Sequence, residues 1–140
     1  MYKIDEDKTI HVTRGDALLF DITAKDANGD KYTFVSKKNE NGETISYGDV
    51  VRIKVYKKRK PEEVVISKDF LVTRDTDRVQ IYLSAEDTKI GSIIGKPTTY
   101  WYEIELNPDT NDTQTIIGYD EDGPKLFVLY PEGAEGDEYG

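Results

Sequence analysis

The sequence contains no cysteine and only one histidine. Without cysteine, the chain forms neither disulfides nor thiolate metal sites. A histidine-dependent catalytic triad would have to use His11, because a hydroxyl nucleophile needs an adjacent base. His11 stands between Ile10 and Val12 in an alternating segment that is typical of a strand. We therefore assign it no catalytic role.

Long apolar runs are also missing. No stretch approaches the roughly 18 apolar residues of a transmembrane helix. Residues 1–12 are charged and lack the apolar segment of a secretory signal. The sequence thus predicts a protein that has no membrane partner and is made in the cytoplasm, where it stays or is assembled into something larger.

Basic residues are outnumbered, with 19 lysines and arginines against 28 aspartates and glutamates, and the net charge is −9. Binding to a phosphate backbone needs clustered lysine and arginine, so nucleic acid is not an expected partner. The one basic run, KKRK at 57–60, is followed at once by PEE at 61–63. This pattern predicts a solvated hairpin tip.

Catalytic motifs are absent as well. The sequence has no phosphate-binding loop, dinucleotide fingerprint or Gly-x-Ser-x-Gly motif. Glu103 and Glu105 lie two apart on a predicted strand, so they share a face, and Tyr100 and Tyr102 lie on the opposite face. A glycosidase needs two carboxylates beside a sugar cleft. Because nothing in the sequence indicates a cleft, we expect both glutamates to face solvent or a partner.

Two acidic turns, at 26–30 and 120–123, carry carboxylates of the kind that calcium-binding loops use. An EF-hand loop needs glycine at its sixth position and glutamate at its twelfth. Counting from Asp26, these positions hold Lys31 and Lys37. The turn at 120–123 supplies too few ligands. We therefore predict two hairpin turns, and we expect no catalytic, cofactor-binding or metal-binding residues in the chain.

Apolar and polar residues alternate with a period of two through most of the sequence, which is the signature of half-buried strands. The inward-facing residues predicted in this way are Ile10, Val12, Leu18, Phe20, Ile22, Tyr32, Phe34, Val51, Ile53, Val55, Val79, Ile81, Leu83, Tyr100, Tyr102, Ile104 and Leu106. We predict an all-β fold, an antiparallel β-sandwich of immunoglobulin-like or jelly-roll-like type with about eight or nine short strands.

The predicted domain covers residues 1–130. Within it, residues 36–48 predict a long polar loop, and residues 84–89 offer one helical turn with Ser84 as its N-cap. Residues 131–140 form an acidic, glycine-rich tail that cannot bury much apolar surface. We expect the polar termini and loops to become ordered on neighbouring subunits.

Tyr100, Trp101 and Tyr102 are consecutive, so they cannot all share one face of a strand. Trp101 is expected to project away from the two tyrosines. Three interpretations are open for it: a core residue beneath a second covered face, an anchor of a protein interface, or a platform that stacks on a sugar ring.

Arg14, Gly15 and Asp16 form the tripeptide of a cell-adhesion signal. An adhesion role would need an extracellular animal target and an exposed loop apex. The tripeptide instead lies between two predicted strands, where Gly15 suits a turn and Asp16 can bond backbone amides. We interpret Gly15 and Asp16 as that turn and Arg14 as incidental.

Three segments occur in a suggestive order: TRGDALLFDITAKDANGD at 13–30, VQIYLSAEDT at 79–88 and YWYEIEL at 100–106, before a hairpin and a last strand in 113–130. The first pairs a Gly-Asp turn with an alternating strand and an Asp-x-x-Gly turn. The second is similar to a strand that ends in a Leu-Thr-x-Glu-Asp-Thr-like corner, and the third to a Tyr-x-Tyr-x-Ile-x-Leu strand. Together they resemble the N-terminal domain of phage baseplate upper proteins, over about residues 8–130.

The resemblance implies a non-enzymatic structural part of a phage or phage-tail-like particle. In that family, the upper baseplate protein joins the tail-tip core to receptor-binding proteins through segments that follow the β-domain. This sequence shows only an acidic tail there, which favours a smaller tail, baseplate or capsid component. The implied partners are other virion or tail proteins in a homo- or hetero-oligomer, assembled in a bacterial cytoplasm without a cofactor. The rival hypothesis is a carbohydrate- or receptor-binding module.

Overall fold

The computed structural model describes residues 2–38, 44–45, 48–92 and 95–132. Regular structure in these residues is β-strand throughout, and none of it is a helix of the length and apolarity that a bilayer crossing requires. The strands are β1 (Tyr2–Ile4), β2 (Ile10–Thr13), β3 (Leu18–Ile22), β4 (Lys37–Lys38), β5 (Thr44–Ile45), β6 (Val50–Lys57), β7 (Lys60–Leu71), β8 (Val79–Leu83), β9 (Thr98–Leu106), β10 (Gln114–Ile117) and β11 (Lys125–Tyr130).

The strands form one large sheet and two small ones. The main sheet has the order β1-β2-β11-β9-β6-β7, with β10 paired to the far end of β9. Strands β3 and β8 form a second sheet, and β4 pairs with β5. All pairings are antiparallel except that of β11 with β2, which is parallel, so the main sheet is mixed. The predicted all-β, sandwich-like fold is confirmed.

The core lies between the main sheet and the β3–β8 sheet. One cluster of buried side chains draws on both sheets, and its fully buried members include Ile10, Leu18, Phe34, Ile53, Ile81, Leu83, Ile104, Phe127 and Leu129. Each such side chain contributes about 1.5–3 kcal/mol through removal of apolar surface from water. The predicted inward faces of β2, β3, β6, β8 and β9 are confirmed.

The alternation at Tyr32 and Phe34 predicted a strand, and this prediction is wrong. Phe34 makes an isolated bridge with Thr76, and the Tyr32 amide donates to the carbonyl of Ala24 at 2.9 Å. Phe34 is nevertheless 0% exposed, and its ring meets that of Tyr32 edge to face at 5.2 Å. The alternation reflects two inward-facing rings on a bridging segment.

Several predicted turns are present. Residues 57–60 form the tip between β6 and β7, and residues 26–30 turn between bridged Lys25 and Lys31. Ser84 and Asp87 form a reciprocal cap: the Asp87 amide donates to Ser84 Oγ and the Ser84 amide to Asp87 Oδ2. The polar loop predicted at 36–48 contains the β4–β5 pair, and its residues 39–43 and 46–47 lie outside the described residues.

Arg14 is a buried structural residue, so the interpretation that it is incidental is wrong. Its side chain is 10% exposed. Nε donates to the carbonyl of Ile90 at 3.2 Å, Nη2 to that of Gly91 at 2.7 Å, and Nη1 to Glu132 Oε1 at 2.7 Å. Arg14 therefore ties the turn after β2 to the segment after β8 and to the residues that follow β11.

The predicted turn at Gly15 and Asp16 is confirmed. The Asp16 amide donates to the carbonyl of Thr13 at 3.0 Å, and Gly15 has φ of 88°, where L side chains are strained. The Thr88 hydroxyl is buried between them, since it accepts from the Gly15 amide at 2.9 Å and donates to the Asp16 carbonyl at 2.9 Å. With the Arg14 guanidinium held inside, the tripeptide does not present an adhesion signal.

A buried carboxylate organises the end of the sandwich where β6 begins. Asp49 is 7% exposed. Its Oδ2 accepts hydrogen bonds from the Tyr32 hydroxyl at 2.8 Å and the Val35 amide at 2.9 Å, and its Oδ1 accepts one from Asn107 Nδ2 at 3.0 Å. These bonds satisfy the buried charge and hold three chain segments together.

Tyr32 makes the stability of this cluster depend on pH in the alkaline range. Burial, together with the hydrogen bond to Asp49, raises the pKa of Tyr32 to about 12. The folded state then keeps a proton that the unfolded chain loses near pH 10, so stability falls as pH rises between these values. We expect Tyr32→Phe to be less stable than the wild type at about pH 9, and the difference to shrink by about 1 kcal/mol near pH 12. Urea denaturation across this range measures it, and a constant difference would contradict it.

Candidate interaction face

The solvent-facing side of the main sheet, which we call the outer face, carries its side chains in cross-strand rows. Residues directly opposite each other on neighbouring strands share a face, so the ladder register assigns each row. In order along the strands, the rows are Asp69–Arg52–Glu105–Thr115, Ser67–Lys54–Glu103, Val64–Tyr56–Trp101–Leu126, Lys3–His11–Val128–Thr99 and Thr13–Tyr130.

The middle row of the outer face is apolar and aromatic. Tyr56, Trp101 and Leu126 come from three adjacent strands, and all three lie outside the core cluster of the described residues. Tyr56 is 8% exposed although it lies on the outer face, while Trp101 and Leu126 are half-buried. The Tyr119 ring lies edge to face against Trp101 at 6.1 Å and is 72% exposed. The row is therefore a second apolar cluster, separate from the core.

The predicted orientation of Trp101 is confirmed. Tyr102 is 2% exposed in the core, and Tyr100 packs against the core from the same side of β9. Trp101 consequently projects to the outer face, and the interpretation of it as a core residue is wrong. The two other interpretations, an interface anchor and a sugar platform, both require a tryptophan that projects to the solvent side, as Trp101 does.

His11 bridges two side chains on the outer face. Its Nε2 lies 2.8 Å from Asp5 Oδ2, and its Nδ1 lies 2.9 Å from the Tyr130 hydroxyl. The hydrogen bond from His11 lowers the pKa of Asp5. A neutral imidazole that donates from Nε2 to this carboxylate accepts a hydrogen bond from the Tyr130 hydroxyl at Nδ1, which orients the Tyr130 ring in the last row of the outer face. Sequence reasoning missed this triplet because Tyr130 is 119 residues from His11.

The two rows at one end of the outer face, those that contain Arg52 and Lys54, are charged. Arg52 holds Asp69 through two hydrogen bonds, at 2.6 and 3.2 Å, and reaches Asp109 at 3.0 Å. These carboxylates raise the pKa of Arg52. Lys54 pairs with Glu103 at 3.4 Å. Cross-strand pairs of opposite charge stabilise the sheet, and both cations at this end of the face are paired with carboxylates.

Glu103 and Glu105 face outward, as predicted, but they differ in environment. Glu103 has Lys54 as a partner and accepts a hydrogen bond from Tyr56 at 3.4 Å. For Glu105, burial is the main cause of a raised pKa, and the negative charge of Glu103 adds to it. The charge of Glu105 is therefore unfavourable in the folded state at neutral pH.

We expect Glu105→Gln to raise the free energy of unfolding by a few tenths of a kcal/mol at about pH 7, because it removes this charge. A raised carboxyl pKa costs stability above the unfolded value, so the gain should disappear near pH 4, where the wild-type Glu105 is protonated in the folded state. The matched variant Glu103→Gln should give no gain, because it loses the Lys54 pair. Urea denaturation of both variants at the two pH values tests this, and equal effects would contradict it.

Two clefts in the described residues are not lined by the outer-face groups that could do acid–base chemistry. A cleft of about 720 Å³ runs between the end of β7 and β8, and one of about 680 Å³ lies beside the 26–30 turn. His11, Glu103 and Glu105 line neither of them. In the same part of the chain, no cluster of histidine and carboxylate side chains has the composition of a metal site.

No protein-family model, curated protein or solved structure matches this chain. The functional assignment therefore depends on the residues of the chain itself, and the outer face combines an apolar, aromatic row with charged rows of the same strand ladder.

Proposed function

We propose that the chain is a non-enzymatic assembly protein that works through protein–protein contacts made by the outer face. The observation that carries the proposal is the row of Tyr56, Trp101 and Leu126 on the solvent side of the sheet, with Val128 in the next row and Tyr130 in the row after that. Interfaces are enriched in tyrosine and tryptophan in this manner. A half-buried apolar row outside the core gains stabilisation when a partner removes its remaining surface from water.

The size of the outer face suits a protein partner. From β2 to β7 the face spans about 19 Å across the strands, and β9 is about 30 Å long, which gives about 600 Å² of projected area. A stable interface covers about 800 Å² on each partner. A protein that contacts the outer face and its rim therefore reaches standard size, whereas a small sugar would cover only the part around Trp101.

The larger assembly that we propose is a phage or phage-tail-like particle, in which the chain is a tail, baseplate or capsid component assembled in a bacterial cytoplasm. The ordered segments at 13–30, 79–88 and 100–106, similar to those of baseplate upper proteins, support this part of the proposal. Its partners would be other structural proteins of the particle.

A second function, carbohydrate binding, is favoured by one observation. The Trp101 and Tyr119 rings meet at 65° and 6.1 Å, and Tyr119 is largely exposed. An exposed aromatic pair can stack on a sugar ring. Binding to a glycan array that disappears in Trp101→Ala, with an unchanged circular dichroism spectrum, would favour this function over assembly.

Co-expression with the products of the neighbouring genes tests the assembly function. We expect the wild-type chain to co-purify with a structural protein. Thr99→Glu, which places a charge in the row next to Trp101, should abolish co-purification. Leu19→Glu changes an exposed apolar residue on the β3–β8 sheet instead, and this control should retain the partner. A chain that stays monomeric with every structural product, or a partner retained equally by both variants, would contradict the proposal.

A further inference from the structure

The hairpin tip at 57–60 carries cations that the described residues leave without counter-ions. All four side chains of the tip are exposed. Lys57 and Lys60 share Glu63, at 3.3 and 3.6 Å. Lys58 and Arg59 have no ion-pair partner within the part of the chain that the structure describes. An otherwise acidic protein thus presents a local positive site at this tip.

This positive site adjoins the apolar row. Tyr56, a member of the row, immediately precedes the tip, and Lys96 precedes β9 at the same end of the sheet. We call residues 57–60 and Lys96 the basic rim. A ligand that spans the rim and the row must combine carboxylates with an aromatic or apolar side chain, because each part of the surface then meets its complement.

The chain itself contains one such ligand at 133–140, with the sequence GAEGDEYG. Strands β6 and β11 are both antiparallel to β9, so they end at the same end of the sheet. They are separated by β9 alone, a distance of about 10 Å. Glu132 is fixed there by Arg14. The residues three to seven positions beyond Glu132 can reach about 10–24 Å from it, which is far enough to reach the rim.

We propose that residues 133–140 bind the basic rim and the apolar row of the same chain. The carboxylates of Glu135, Asp137 and Glu138 would pair with Lys58 and Arg59. Tyr139 would cover the exposed edge of the row. This proposal rests on the proposed function, since it assigns a regulator to the same face: the acidic segment competes with the assembly partner and is displaced when that partner binds.

The expected dissociation constant favours binding of the segment within one chain over exchange between two copies. Exposed ion pairs are individually weak, and a few of them with one aromatic contact correspond to a dissociation constant of about 1 mM. Copies at micromolar concentration would not associate at that affinity. A tethered segment has an effective concentration in the millimolar range, so it occupies its site about half of the time.

The test uses the full-length chain with a neutralised tail, the triple variant Glu135→Gln, Asp137→Asn, Glu138→Gln. In proton–nitrogen NMR spectra, we expect the amide signals of Lys58 and Arg59 and the indole signal of Trp101 to differ from those of the wild type. The amide of Ile90, beside Arg14, should not change. A synthetic peptide of sequence GAEGDEYG, at about 1–5 mM, should move the shifted signals of the variant back toward their wild-type positions.

A salt titration and the variant Tyr139→Ala test separately the ion pairs and the aromatic contact of the proposed complex. About 0.5 M NaCl should shift the wild-type signals as the triple variant does, because salt screens exposed charges. Tyr139→Ala should shift the Trp101 indole while leaving Lys58 and Arg59 close to their wild-type positions. Identical spectra of the wild type and the triple variant at low salt would overturn the proposal, as would signals that change with protein concentration, which would indicate exchange between copies. Either result leaves the Thr99→Glu test of the proposed function intact.

Discussion

Arg14→Met is expected to lower the free energy of unfolding by about 3 kcal/mol, because it removes three hydrogen bonds donated by a buried cation. The carbonyl of Ile90 loses its donor in a buried site, whereas Gly91 is exposed and Glu132 is partly exposed, so both can be hydrated. For a domain of this size, the melting temperature should fall by about 10 °C. Thermal and urea denaturation measure both quantities.

Two companion variants identify the cause of that loss. Arg14→Lys keeps the charge but not the planar set of donors, so we expect about half of the destabilisation. Arg74→Met removes an exposed arginine elsewhere, and its effect should stay within about 0.5 kcal/mol. If Arg14→Met melted at the wild-type temperature, the arginine would not hold these segments together. Attachment of animal cells that is lost in the same variant would restore the adhesion interpretation.

Trp101→Ala is expected to weaken binding of the assembly partner by about 30- to 150-fold, which corresponds to about 2–3 kcal/mol. Large aromatic residues near the centre of an interface have effects of this size, and Trp101 lies in the middle row of the outer face. Because Trp101 is outside the core, the isolated chain should lose only about 1 kcal/mol of stability. Phe127→Ala, in the core, should cost about 3–5 kcal/mol.

Tyr82→Ala is the matched control for binding. Tyr82 is 44% exposed on the outside of the β3–β8 sheet, where it faces Lys68 at 5.1 Å from the ring centroid. Its replacement should leave the dissociation constant within about threefold of the wild type. A Trp101→Ala chain that binds the partner with wild-type affinity, or a Tyr82→Ala chain that loses it, would place the interface elsewhere.

The fold could be predicted from the sequence to the extent that one face of each strand is apolar. The alternation around Ile53, Ile81 and Ile104 identified inward faces without knowledge of strand order. Alternation does not report pairing partners, because residues far apart in sequence form the ladders. The parallel pairing of β11 with β2 was therefore not predicted, and neither was the extent of β7, a single strand from Lys60 to Leu71.

The candidate site was predictable only in part, for a related reason. Trp101 was assigned to the face opposite Tyr100 and Tyr102 because strand geometry alone decides this. Its neighbours Tyr56 and Leu126 come from other strands, so the row became visible only with the register. Arg14 was misjudged because arginine in a turn is usually exposed. The acceptors of its hydrogen bonds lie 76 to 118 residues away along the chain.

Hydroxyl-radical footprinting, applied to the free chain and to its complex with the co-purified partner, tests the central claim most directly. We expect oxidation of Trp101 and Tyr119 to be strongly reduced in the complex, because the partner covers the outer face. Tyr82 and Leu19, on the β3–β8 sheet, should react equally in both states. Equal reactivity of Trp101 in both states, with protection of Tyr82 and Leu19 in the complex, would contradict the assignment of the outer face as the site of assembly.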